Sequence, residues 1–196
     1  GMDALTHAVE AYYSLQKNPI SDCFATSAIK LIFDNLLNAA KNGADEQARL
    51  AMANASLMAG IAFSNSMVGV VHALAHATGG ICKVPHGLAN AILLPYGMEY
   101  NRKSSAAALG ELAPAMGVKD LNGTAKKNAE AAIQAVFALR QKLHAVTGLP
   151  LTLSDAGVAK EDLEKIAHGA INDGSCTYNP EELEYKDALK ILKKAY

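Results

Sequence analysis

MANASLMAGIAFSNSM, Met52 to Met67, is built largely from alanine, serine, glycine and methionine. Residues of this kind favour helix over strand, and their small side chains let neighbouring helices come close. A helix is therefore expected from Asp45 to about Met67, with the small face a buried central helix requires. Whether that face meets the core or a second subunit, the residues leave open.

Outward from this segment the text stays helical. Met2 to Leu15 is apolar at helical spacing, and Asn18-Pro19 breaks it. Ser21 or Asp22 can cap a second helix to about Lys41, which Asn42-Gly43 ends, the glycine suited to a left-handed position. Downstream, one or two turns around His72 to His76 are expected to stop at Gly79-Gly80. Val84 before Pro85 is pushed out of the α region, which makes Lys83 to Gly87 a loop. A helix from Leu88 towards Asn101 follows, with Pro95 as a kink or break. Asn122-Gly123-Thr124 opens a long amphipathic helix to about Val146. Shorter helices follow Ser154 and Asp155, and Leu183 to Tyr196 closes the chain after Asn179-Pro180. Alternating, strand-like patterns are almost absent and no repeat is visible. The expectation is an all-α, multi-helix bundle-like domain over residues 1–196.

With 196 residues, 51% of them hydrophobic, and a net charge of −1, the chain can bury a sizeable core. A near-neutral balance argues against general nucleic-acid or anionic-membrane binding, which needs a clustered basic face. Cys23, Cys82 and Cys176 are odd in number and far apart, which argues against a disulfide framework and for a reducing, cytoplasmic setting. No apolar run reaches the roughly 18 residues of a membrane span, and no signal peptide is expected at the start. Gly1-Met2 fits either a start at Met2 or a chain that begins inside a longer protein.

The chemistry concentrates in histidine. VVHALAHATGGICKVPHG, Val70 to Gly87, holds three of the six histidines. His72 and His76 are four apart and share a helical face, so they could bind one ion. A zinc protease would carry glutamate after the first histidine; Ala73 stands there and excludes that chemistry. In DALTHAVE, Asp3 and His7 form a second i,i+4 pair on an apolar helix. An aspartate there either caps the helix or needs a partner, because an unpaired buried carboxylate is costly. His86, between Pro85 and Gly87, supplies a further imidazole. One carboxylate and several imidazoles suit Fe(II), Zn(II), Mn(II) or Co(II).

GMDALTHAVEAYYS and HALAHATGGICKVPHGLANAILLPYGMEYN together resemble the iron-containing (group III) alcohol dehydrogenases, and INDGSCTYNP resembles a later motif of the same family. The resemblance runs over essentially the whole chain. It implies the family's dehydroquinate synthase-like C-terminal helical domain, with a metal held by Asp3, His7, His72 and His86. His76 is then not a ligand but lines the pocket near nicotinamide and substrate, where it can relay a proton. Cys176 falls at a pocket-facing position. Glu181 departs from the family pattern, since many relatives have arginine directly after Asn-Pro.

The implied activity is hydride transfer between a small alcohol, diol or aldehyde and NAD or NADP, with Fe(II), or alternatively Zn(II), polarising the oxygen. No strand, glycine-rich turn and helix follow one another here as a dinucleotide site requires. The expectation is thus a C-terminal half whose N-terminal dinucleotide-binding domain is missing, able to bind metal but nearly inactive alone, and forming homo-oligomers. Two alternatives remain: a zinc-dependent glycerol dehydrogenase-like or dehydroquinate synthase-like relative, and a non-catalytic helical assembly module.

Overall fold

The computed structural model describes residues 1–119, 121 and 123–196. Among them are eight α-helices and no strand: α1 (Met2–Tyr13), α2 (Pro19–Lys41), α3 (Glu46–Ser66), α4 (Val70–Cys82), α5 (His86–Leu112), α6 (Ala125–Thr147), α7 (Leu163–Ala170) and α8 (Tyr185–Ala195). Two short 3₁₀ turns, Lys160–Asp162 and Gly174–Tyr178, flank α7. Among the described residues no single helix is long and apolar enough to cross a membrane.

The central helix is α1, not α3. Nine of its twelve residues are buried, including Leu5, Ala8, Val9 and Ala11, and it packs against α2, α3, α4 and α5. The small residues of α3 do permit close approach, but along one stripe only. Ala55, Ala59, Ala62 and Ser66 face inward, while Leu50 and Leu57 are about two-thirds exposed. The small face therefore serves the core, with α3 lying across α1 and α2.

Helix ends departed from expectation where backbone groups found other partners. Asn18, rather than Ser21 or Asp22, caps α2: its side chain accepts from the Ile20 and Ser21 amides, and Ser21 returns a bond to the Asn18 amide. This is a reciprocal capping box, with Pro19 at the first helical position where its missing N–H costs nothing. Asn42 ends α2 in an extended conformation, and Gly43 is not left-handed. Asp3 caps nothing. Asn122 lies outside the described residues, and α6 is capped by Thr124 through the Lys127 amide.

Gly79-Gly80 does not stop α4, which runs on to Cys82 and turns off at left-handed Lys83. At Gly79 the Val84 carbonyl passes where a Cβ would stand, 3.2 Å away, so the residue serves a close crossing rather than a stop. Pro95 lies buried within α5 without ending it, and the non-helical residue is Ser105. Helix α5 also starts earlier than expected. His86 is its first residue, after Pro85, and so belongs to a helix end rather than a free loop.

Three crossings define the site. Helices α3 and α4 meet at 106° across Met67–Gly69, with Met67 at φ 68°. Helices α4 and α5 touch at Gly97, where a side chain would overlap Val71. Helix α1 passes the N-terminal ends of α4 and α5, and this brings residues 3–10, 72 and 86 into one place.

Candidate metal centre

Asp3, His7 and Glu10 stand at i, i+4 and i+7, so helical geometry puts all three on one face of α1. Helix α4 brings His72 to that face and α5 brings His86. One ligand-type atom from each of Asp3, His7, His72 and His86 lies within 4.8 Å of the other three. The His7 and His72 rings are 4.3 Å apart, and those of His72 and His86 are 5.4 Å apart. Asp3 stands 3.3 Å from His86 Nε2 and 3.7 Å from His7 Nδ1. Phe63 of α3 stacks on the His7 ring at 4.3 Å. The four residues separated by up to 83 positions in sequence are thus one cluster.

Two neighbours of the cluster went unread in the sequence. Asn90, one turn after His86 on α5, donates to Asp3 Oδ1 at 2.6 Å and lies 3.0 Å from His86 Nε2. Glu10 is fully buried, and its Oε2 sits 2.5 Å from His72 Nδ1. The i, i+7 spacing from Asp3 was the available signal for Glu10, and the i, i+4 spacing from His86 was the one for Asn90.

Burial raises the Glu10 pKa, but the bond from His72 and the Gly69 and Val71 backbone bonds outweigh it, leaving the carboxyl below its ordinary value. It is therefore a carboxylate, and the His72 nitrogen facing it must carry the proton. In the neutral ring His72 Nε2 is then the lone-pair atom. It is buried and has no hydrogen-bond partner among the described residues. A buried acceptor without a partner is costly, and a cation among Asp3, His7 and His86 would satisfy it.

His7 and His86 are held below the ordinary histidine pKa. Burial, then the adjacent His72, lowers His7 to about 4 against the opposing pull of Asp3 and Glu10. Burial also lowers His86, helped by His72 and His76 and opposed by Asp3. Neutral imidazoles beside one carboxylate form an N₃O donor set with the character of an Fe(II) or Zn(II) site.

His76 is one turn beyond His72 on α4, but its surroundings differ. Its side chain is 44% exposed, its ring stacks against His86 at 5.3 Å, and Nδ1 lies 2.9 Å from Asp173. Asp173 also caps the Gly174–Tyr178 turn through the Ser175 amide. Cys176, on that turn, is half-buried, and its thiol donates to the Ala170 carbonyl. It lines a cleft with Asp173, Asn179 and Leu183 rather than joining the four-residue cluster. Burial, followed by the Asp173 and Glu10 charges, pushes its pKa up to about 11. Glu181 offers its backbone carbonyl to Asn179.

Known proteins resemble this chain in sequence and in fold. The model of the Fe-containing alcohol dehydrogenase family, C-terminal part, matches residues 1–196. A 1,3-propanediol dehydrogenase of Citrobacter freundii is 42% identical over 196 residues, covering all of this chain and 50% of that protein. An NAD-dependent methanol dehydrogenase of Bacillus methanolicus is 37% identical over 195 residues, again covering 50% of its length. The crystal structure of a 1,3-propanediol oxidoreductase superposes with a TM-score of 0.94 at 41% identity, over all of this chain and 50% of that one. The chain thus spans about half the length of the curated relatives it matches. From its first residue to its last, it belongs to the Fe-containing alcohol dehydrogenase family and corresponds to that family's C-terminal helical domain.

Proposed function

We propose that the chain is the metal-binding, substrate-side half of an NAD(P)-dependent alcohol dehydrogenase, with Fe(II) held by Asp3, His7, His72 and His86. The observation that carries this is the convergence of one ligand-type atom from each of the four residues within 4.8 Å, beside a buried His72 Nε2 that has no partner among the described residues. When bound, the ion supplies Lewis acidity towards an alcohol or aldehyde oxygen, while the nicotinamide accepts or returns the hydride.

The chain's own residues do the rest. Asp3 is held by Asn90, and His72 is held by Glu10, so two ligands are oriented before any ion arrives. Phe63 stacks on the His7 ring and supports it. Asp173 holds His76 through Nδ1, which leaves His76 Nε2 as the atom that exchanges a proton between an alcohol and solvent. His76 is thereby the proton relay and not a ligand; burial and different carboxylate partners divide the two histidines of one helix.

Small alcohols, diols and their aldehydes are the substrate class, in keeping with the propanediol and methanol dehydrogenases it resembles. Cys176 and the turn that carries it form part of the substrate-side wall. The dinucleotide is held chiefly by an N-terminal domain such as the other half of those relatives' length would supply, and the assembled enzyme is a homo-oligomer. The 196-residue chain alone therefore binds metal with little turnover.

Metal content after anaerobic loading with Fe(II) tests this. About one ion per chain is expected, lost in His86→Ala, whose half-exposed site lets the fold survive. A well-folded wild-type chain that retains no ion would overturn the reading.

A further inference from the structure

The N-terminal end of α4 has no cap of its own. Gly69 precedes it without a side chain, and the amides of Val70, Val71 and His72 point out of the helix. Two distant side chains meet them. Asn179 accepts from the Val70 amide at 3.1 Å. Glu10 accepts from the Val71 amide at 2.7 Å and from the His72 amide at 3.3 Å, while the Tyr13 hydroxyl donates to it at 3.2 Å. The same carboxylate takes the His72 ring at Nδ1. The fit is tight: a Cβ at position 69 would lie 2.5 Å from Asn179 Oδ1 and 3.1 Å from Glu10 Oε1, so only glycine leaves room.

We infer that Glu10 is a positioning residue for the metal centre, fixing His72 as its Nδ1–H tautomer and holding α4 at the height that brings His72 Nε2 to Asp3, His7 and His86. The inference rests on the proposed metal site, and two features of the geometry carry it. A carboxylate can only accept, so it selects the tautomer whose lone pair is on Nε2. Its simultaneous bonds to two α4 amides tie the ring and the helix to one point on α1, the helix that supplies Asp3 and His7. Helix N-termini favour negative charge, so Glu10 is held as firmly as it holds.

Glu10→Gln tests this because it keeps size and acceptance from the Val71 amide while changing what faces the ring and the His72 amide. Its oxygen can still serve the Val71 amide, but its NH₂ group then donates to His72 Nδ1 and moves the ring proton to Nε2. Long-range ¹H–¹⁵N NMR of the metal-free chain should find His72 as Nδ1–H in the wild type and as Nε2–H in the variant. Fe(II) and Co(II) affinity, measured by titration, should fall about 10- to 100-fold in a variant that circular dichroism shows to be folded. Asn179→Ala is the structural control. It uncaps the same helix at Val70 and should lower the melting temperature, yet keep the wild-type tautomer and affinity.

A wild-type His72 protonated at Nε2 would refute the assignment, even if Glu10→Gln cannot be obtained folded. So would Glu10→Gln with unchanged affinity, or Asn179→Ala with an equal loss. A folded wild-type chain that takes up neither ion refutes the metal reading instead, whatever the tautomer.

Discussion

Acidifying the metal-free chain from pH 7 to pH 4.5 should cost it about 2 kcal/mol of stability through His7. The His7 side chain is 18% exposed and its ring packs against those of Phe63 and His72. Burial, then the second imidazole, lowers its pKa from 6.5 to about 4. In the unfolded chain the ring takes up a proton as pH falls through 6.5; in the folded chain it resists until about 4. The unfolded state therefore binds more protons across this window, and stability must fall as pH falls. Each pH unit is worth at most about 1.4 kcal/mol, so the two units from 6.5 to 4.5 set a ceiling near ~2.7 kcal/mol. Incomplete protonation at the two ends of the window brings the expectation to ~2 kcal/mol. Glu10, lowered from 4.5, adds its own loss only at more acidic pH, and His86 adds in the same direction as His7. Urea midpoints of the metal-free chain, taken in half-unit steps, give the slope. His7→Gln, close in volume and unable to titrate, should lose most of it. A wild-type midpoint that stays flat from pH 7 to 4.5, or a His7→Gln slope equal to wild type, would refute the reasoning.

Three further outcomes follow from the packing. Asn18→Ala removes the capping box of α2 and should cost about 1 kcal/mol, seen as a drop of roughly 2 to 4 °C in melting temperature. Gly97→Ala forces a methyl group into Val71 at the α4–α5 crossing and should cost about 1 to 3 kcal/mol. Val71→Ala in the same chain should recover part of that loss, and strict additivity of the two in urea denaturation would contradict the contact. Cys176, with its pKa at about 11, should be thiolate in only about one chain in a thousand at pH 8. Peptide mass spectrometry after brief iodoacetamide treatment should find exposed Cys23 alkylated well before Cys176.

The ligand-type residues could be read because their chemistry departs from their surroundings. Asp3 and His7 stand among Ala, Leu and Val, and His72 and His86 flank a proline-marked turn. The all-α class was equally plain in alanine content and helical spacing. What escaped was decided by contacts between distant residues. Glu10 occupies a position that any solvent-facing glutamate could fill; only the arrival of Gly69 to His72 makes it an internal anion. Asn90 reads as an ordinary helix residue until Asp3 comes within 2.6 Å. The diglycine at 79 and 80 and Pro95 carry strong local preferences for stopping a helix, and both were overridden. Val84 needs the space at Gly79, and Pro95 is buried in a helix packed between α1, α4, α6 and α8. Choosing Ser21 over Asn18 was a nearer miss, since both belong to one reciprocal cap.

The bond between Asn179 and the start of α4 also sets an order of events. Asn179 reaches Val70 and pairs with Asn101 through both ends of its amide, at 2.8 and 2.7 Å. Every candidate ligand has been translated by residue 86, yet the first amide of α4 finds its partner only when residue 179 can join it. Contacts over such sequence separations form late, because a long loop must close first. During synthesis the four candidate ligating side chains thus exist for roughly half the chain's length before α4 is capped at Val70. A nascent chain that captured an ion in that interval would hold it on a helix whose first turn is still unfastened.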